Sequence, residues 1–449
     1  MDRVGKVSWR RFEKFLTTAG CKFKSQEGSH RVFCASGYTR SVRRNRYLWA
    51  LYDFANSIIL IVFLFYFSQW LVVDSHKPDW WFNATLIVSS LLFIVTAPII
   101  GQRLDTTRRK LSGLRRATTL MFIAYAATSV VVLFAPTHVL LAVVLFTAAL
   151  YFFVISFIFY TPMINDISDD TNRGYVSGLG QGFNYAGQVI GLLVTLPFAT
   201  GALYLFGSAG RPQTLLPATI LFGLFALPMM LWFTEKETPS LVEKIRVRDE
   251  YANIFRTIGH IASNRNLVFL LLGYFLFSDA LLTFANNFPL FLENVHGASD
   301  AVKTYLTTGI LTLSAIGSIL FGKISDKRGS KRTLLWLLLC WSMLFPIIAF
   351  APSFKLVVVA CLIAGLFFGA VWGVSRAMVA ELTHRSVEAS SFTFYILAER
   401  FATLIGPLTW STVLVGTASL GKVSYSYAIL SMGLLVFISF FFIRKIQEG

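Results

Sequence analysis

Stretches apolar enough to cross a ~30 Å hydrocarbon layer, roughly 20 residues each, recur about twelve times along this chain, and that recurrence limits its fold more than any other feature. They fall near 47–73, 82–101, 116–135, 138–160, 175–199, 213–233, 267–290, 304–322, 333–350, 355–376, 390–415 and 423–443. Lipid offers no partners to backbone N–H and C=O groups, so a spanning segment is either a helix or a strand of a closed barrel. Runs such as Ile58–Phe67 lack the alternation of barrel strands. The expected fold is all-α, a polytopic membrane protein of twelve transmembrane helices. A chain with 55% hydrophobic and 14% charged residues fits that solvent, since soluble domains carry about a quarter charged residues.

The net charge of +17 suggests nucleic acid at first sight, but its placement points to topology. With the N-terminus inside, Lys77, Arg211, Lys303, Lys355 and Lys422 fall outside, Arg400 lies within a span, and the other 34 of the 40 Lys and Arg fall on the inner side. Such a bias is the positive-inside signal and places both termini in the cytoplasm, with no nucleic-acid partner expected. Cys21 and Cys34 lie in the leader and Cys340 and Cys361 in spans, which supports neither a disulfide framework nor a zinc site. The chain carries no nucleotide-binding glycine loop, metal-ligand cluster or hydrolase triad, so neither a cofactor nor enzyme activity is expected.

Residues 234–266 form the longest polar interval and divide the spans six and six. The expected organisation is a leader (1–46), a six-helix bundle (47–233), a linker (234–266), a second bundle (267–443) and a tail (444–449). One offset separates Gly101 from Gly322 and Asp105 from Asp326, and a similar one separates Asp166 from Glu381. Parallel repeats of this kind are typical of transporters whose halves rock about a midplane site.

In GKISDKRGSKR, Gly322, Asp326, Lys327, Gly329 and Lys331 match the G-x-x-x-D-[RK]-x-G-x-[RK] loop between the second and third helices of each half in the major facilitator superfamily. The first-half copy, GQRLDTTRRK, keeps Gly101 and Asp105 but has Thr106 at the basic position and Arg108 at the second glycine. Within that superfamily, YDFANS (Tyr52–Ser57), NDISDDTNRGYVSG (Asn165–Gly178), YFLFSDALLTF (Tyr274–Phe284) and GAVWGVSRAMVAEL (Gly369–Leu382) resemble the vacuole-effluxer-like family. That resemblance implies a secondary transporter of small organic solutes such as amino acids. It also implies that the two loops are latches, Asp105 meeting the eleventh helix near Ser390–Ser391 and Asp326 the fifth near Arg173–Gly174. The alternative is that their charges only set topology.

Ionisable groups inside spans are costly and mark candidate sites. Asp53, close to Asn56, and Glu381 sit near inner ends, where an acid is either hydrated or functional. Asp279, Thr283 and Asn286 make a polar stripe that lines either a cavity or a helix-packing network. Ser177, Gln181, Asn184 and Gln188 make a second stripe, again for substrate contact or helix bonding. Glu399 and Arg400 point about 100° apart, so each needs another partner. Arg400 suits an anionic group, and Glu399 or Asp279 suits a proton if burial raises its affinity for one; a static ion-pair network is the alternative.

Residues 7–33 resemble the beginning of a HicA-type RNA-cleaving toxin, with an amphipathic helix and two strands around Glu27–Gly28. His30 matches that family's catalytic histidine, yet half a small domain buries too little core to fold alone, and a fusion remnant or upstream start-site extension is expected. Its resemblance to a bacterial family suggests the inner membrane. Expected partners are a small-molecule substrate, membrane lipids and protons; oligomeric state and direction are left open. The rival readings are a lipid or lysolipid transporter, a transport-inactive receptor or scaffold, and a membrane-tethered toxin.

Overall fold

A computed structural model describes residues 21–27, 30–77, 80–235, 259, 263–298, 300–383, 388–401 and 405–447. Most of the polar linker and the amphipathic helix expected in the leader lie outside these residues. At the start, β1 (Cys21–Glu27) and β2 (His30–Ala35) pair antiparallel, Glu27 opposite His30, with an irregularity between Phe23 and Ser25. The other regular elements among the described residues are helical.

The first span is α1 (Ser36–Val62), continued by π-helical turns at Phe63–Phe67 and Trp70–Asp74. It is followed by α2 (Trp80–Thr107), α3 (Lys110–Phe134), α4 (Val139–Tyr160), α5 (Arg173–Ala199) and α6 (Pro212–Trp232). The second half contains α7 (Arg265–His296), α8 (Asp300–Arg328), α9 (Ser330–Ala349) and α10 (Phe354–Leu382). Next come α11 (Glu388–Phe401), α12 (Ile405–Gly416) and α13 (Val423–Arg444). Among the described residues, 11 helices are long and apolar enough to cross a membrane. The remaining expected span, 390–415, falls on α11 and α12. The chain is an integral membrane protein.

Local chemistry sets the helix ends. Asn264 accepts from the Leu267 N–H at the start of α7, and Gly297 closes that helix at φ 65°. Several helices run deeper toward the basic loops than the apolar runs suggested. The tenth span, expected to stop at Arg376, continues to Leu382.

Within the first half α1 packs on α5 and α6, and α3 on α4; within the second, α13 packs on α7 and α9, and α8 on α10. The halves meet where α5 packs on α8 and α10, and where α11 packs on α2 and α4. Small residues allow this approach. A Cβ added at Gly178 of α5 would sit 2.2 Å from the Ser318 carbonyl of α8, and one at Gly322 would sit 2.4 Å from the Gly174 carbonyl. At the corresponding first-half glycine, Gly101, an added Cβ would sit 2.5 Å from the Thr393 side-chain hydroxyl of α11.

The two motif loops share a positive φ at the corresponding position despite their different residues. Gly329 has φ 88°, and Arg108, its counterpart between α2 and α3, has φ 52°. A left-handed arginine costs about 1 kcal/mol that glycine does not. Arg108→Gly should therefore raise stability by about 1 kcal/mol, less any gain in unfolded-chain entropy, read as a higher thermal midpoint in detergent with transport unchanged.

A polar seam and two carboxylate latches

Two groups of candidate side chains lie on the contact between the halves. The first is a buried polar chain formed by α1, α5 and α10. Asp53 is fully buried; it accepts from the Asn184 amide at 3.1 Å, and Asn184 in turn accepts from Gln188 at 2.8 Å. Across the seam, Arg376 of α10 lies 3.5 Å from the second Asp53 oxygen, donates to Gln181 at 2.8 Å and sits over the Trp49 ring at 5.6 Å. Trp49 is held by Tyr160, stacked on it at 4.7 Å, with each ring donating to the other residue's carbonyl. Asp53 Oδ2, Arg376 Nη1 and both side-chain polar atoms of buried Asn56 make no hydrogen bond. Ser177, the first member of the α5 stripe, instead donates to the Gly373 carbonyl at 2.6 Å and ties α5 to α10.

Arg376 was missed in the sequence because the tenth span was ended at that residue, which counted it among loop cations. The available signal was its position in the apolar run GAVWGVSRAMVAEL, six residues before the helix ends. Arg400, expected to be the anion-binding cation, lies on α11, but its side chain is outside the described residues.

Other expected site residues lie elsewhere. Glu399 accepts from the Tyr274 hydroxyl; Tyr274 stacks on Tyr395 at 4.0 Å, and Tyr395 pairs with Ser375 at 2.9 Å. Asp279 and Thr283 are buried against Gly406 of α12, whose N–H donates to Asp279 at 2.5 Å. Asn286 is exposed, so the stripe on α7 does not share one environment.

The second group caps helices at the face that carries the basic loops. Asp326 accepts from the Gly174 and Tyr175 N–H groups at 2.6 and 2.8 Å, at the start of α5. Asp105 accepts from Ala389 N–H at 2.7 Å, and from Ser390 N–H at 2.9 Å and its hydroxyl at 2.6 Å, at the start of α11. A helix N-terminus favours an anion through its free N–H groups and its dipole, and each cap comes from the opposite half. Beside Asp105, buried Lys110 bonds Asp166 at 3.2 Å, Glu388 at 3.1 Å and the Pro162 carbonyl at 3.1 Å. Asn165 also donates to Glu388, at 3.0 Å. In the second half the equivalent acid, Glu381, accepts from Ser330 at 2.5 Å, and Ser330 pairs with Ser325. Arg173 bridges to Asp170 at 2.9 Å, Lys323 covers the Tyr175 ring at 5.3 Å, Lys327 is exposed and Lys331 half-buried. Glu235, at the start of the linker, accepts from Leu111 N–H at 2.5 Å; burial pushes its carboxyl up against that bond.

With both caps made, the halves are closed on the basic face. Asp326→Ala removes two charge-assisted bonds worth about 3 kcal/mol together, a roughly 100-fold shift toward opening. Spin-label distances across the basic face should lengthen and transport should fall while membrane insertion stays normal; unchanged distances and rate would refute the latch. For the seam, Arg376→Gln leaves Asp53 buried and unpaired, expected to cost about 3–5 kcal/mol, and Asp53→Asn combined with it should recover most of that loss in thermal unfolding.

Comparison with known proteins adds the fold and the relatives that the chain is similar to. The Major Facilitator Superfamily model matches residues 270–448. An uncharacterized MFS-type transporter, YxiO, of Bacillus subtilis (strain 168) is 23% identical over 414 residues, 87% of this chain and 93% of that protein. Autophagy-related protein 22 of Eremothecium gossypii is 21% identical over 308 residues, 63% of this chain and 58% of that one. Among solved structures, the major facilitator transporter FucP in the outward conformation superposes with a TM-score of 0.71, covering 92% of this chain and 100% of FucP at 14% identity. Likeness at that identity speaks for the fold alone.

Proposed function

We propose that the chain is a secondary transporter of the major facilitator superfamily and that it carries a small zwitterionic organic solute, such as an amino acid, by proton-coupled alternating access. The observation that supports this most is the pair Asp53 and Arg376, one from each half. They face each other at 3.5 Å, with one oxygen and one guanidinium nitrogen lacking hydrogen bonds. A buried ion pair this long returns little for the desolvation of its charges. A zwitterion placed between them satisfies both: its carboxylate takes the Arg376 fork and its ammonium takes Asp53. Asn56, whose amide is buried without a partner, and Asn184 supply polar contacts beside it.

The latches supply the alternation. With Asp105 and Asp326 seated on α11 and α5, the basic face is shut. Under the charge bias of the sequence that face is cytoplasmic, and the membrane is the inner membrane of a bacterium. Solute then enters from the far side and displaces the Asp53–Arg376 contact. Loss of that cross-seam tie and release of the two caps let the halves rock open toward the cytoplasm; efflux runs the same steps in reverse.

Purified protein in proteoliposomes, assayed with a panel of radiolabelled amino acids with and without an imposed pH gradient, tests the reading. Saturable uptake of at least one amino acid, abolished by Arg376→Gln and increased at least several-fold by the gradient, is the expected outcome. Flux of a labelled lysolipid with no amino-acid uptake would replace it with the lipid reading.

A further inference from the structure

At the face opposite the basic loops, the first half frames a cavity of about 420 Å³ whose lining residues belong to neither the seam nor the latches. It lies where four spans end: Trp70 and Asp74 close α1, Thr137 sits in the turn from α3 to α4, Val139 starts α4 and Pro212 starts α6. That volume is in the range of small-ligand sites. Hydrogen bonds fix its walls. Past α1, the Ser75 N–H donates to the Trp70 carbonyl at 2.8 Å and the Lys77 N–H to the Leu71 carbonyl at 3.1 Å. On the other side, the Ser208 N–H and hydroxyl both donate to the Leu133 carbonyl, at 2.9 and 3.0 Å. Buried Gln213 accepts from the Leu205 N–H at 3.0 Å and donates to the Phe206 and Ser208 carbonyls, each at 2.7 Å. A cavity shaped in advance costs a ligand little ordering.

Cations and aromatic rings meet in this cavity at the depth of lipid headgroups. Lys77 lines it, with its Nζ over the Trp81 ring at 5.4 Å, and Arg211 donates to the lining Asp74 at 2.5 Å. These two are among the five Lys and Arg that the charge bias of the sequence leaves on that side, so the side poorest in cations gathers two of them at one hollow. Trp70 in the wall and Trp81 beneath Lys77 are rings of the kind that settle at the membrane–water boundary. Outward-facing apolar residues flank the polar lining: Val73, next to Asp74, is 52% exposed, and Leu140, next to Val139, is 65% exposed. A polar hollow bordered by lipid-facing side chains fits an amphiphile with an anionic head.

We propose that the cavity binds the phosphate group of a phospholipid headgroup from the leaflet on that side, with Lys77 as its main ligand. Lysine meets phosphate as a point charge with three donors, and a ring on one side of the ammonium leaves donors for an anion on the other. Arg211, fixed by Asp74, adds positive field at the rim, and the Ser75 and Thr137 hydroxyls of the lining are donors for phosphate oxygens. The acyl chains then lie along Val73 and Leu140. The headgroup joins the outer ends of α1, α4 and α6, on the side away from the two latches. This site stands apart from the transport reading and holds whatever solute is carried.

The test is a titration of the full-length protein, purified and delipidated in detergent, with short-chain phosphatidylglycerol, read as the thermal midpoint. The diglyceride with the same chains and inorganic phosphate are titrated in parallel. A saturable rise with phosphatidylglycerol and none with the diglyceride is expected. Lys77→Ala should weaken the apparent affinity about tenfold, whereas Lys77→Arg, which keeps the charge, should stay within about threefold of wild type. Ala209→Trp fills the cavity from an exposed position in its lining, leaves every charge in place, and should abolish the rise. An equal rise with the diglyceride, or a phosphatidylglycerol response that Lys77→Ala and Ala209→Trp leave unchanged, overturns the proposal. The same rise with inorganic phosphate alone assigns the cavity to a soluble anion and overturns the lipid source. Should Lys77→Ala not be recovered as a monodisperse protein, Ala209→Trp decides: a lost response supports the site and a full one overturns it.

Discussion

A carboxylate seated on the first turn of a helix is the interaction on which the arrangement of this protein depends. Among the described residues it occurs at α5 and at α11, and each time the acid comes from the opposite half. Helix N-termini have N–H groups without intrahelical partners, so an aspartate supplies both a hydrogen-bond acceptor and a charge matched to the dipole. Both caps cross from one half to the other and tie the halves together at that face. The closed state is thereby defined by a few directional bonds at the membrane edge, while the seam below them is set by packing.

The Asp105 cap is backed by Lys110, which gathers Asp166, Glu388 and a carbonyl into one network across the halves. The Asp326 cap is backed by hydroxyls, with Ser330 between Ser325 and Glu381. The first network depends on full charges, though it is largely buried and screened less than a surface pair. The repeated architecture therefore carries two locks of different chemistry on one frame.

Much of this was legible in the sequence because membrane spans and latch loops follow from local rules. Length, apolarity and charge bias delimited the spans, and Asp326 and Asp105 in their glycine-flanked loops led directly to the helix starts they occupy. The seam was harder. Asp53, Gln181, Asn184 and Gln188 were legible as polar residues in apolar helices, but their common partner Arg376 was hidden by a boundary drawn a few residues too early. A cation next to other basic loop residues looks topogenic until the helix is known to run past it. Asp279 shows a second limit: spacing on α7 joined it to Thr283 and Asn286, yet Asn286 is exposed while Asp279 is engaged by a backbone N–H that no side-chain pattern reports.

Where α5 meets α8, Gly174, Gly178 and Gly182 lie against Gly322, Ser318 and Ala315, so main chain touches main chain with few protruding groups. Ordinary helix pairs part by withdrawing bulky knobs from holes, each move requiring rotamer changes. Two flat strips of this kind shear or peel with little steric friction. On the transport reading proposed above, the polar clasps at the rim would then govern the pace of separation, and the speed of the carrier would be adjustable by single-residue edits far from its cargo.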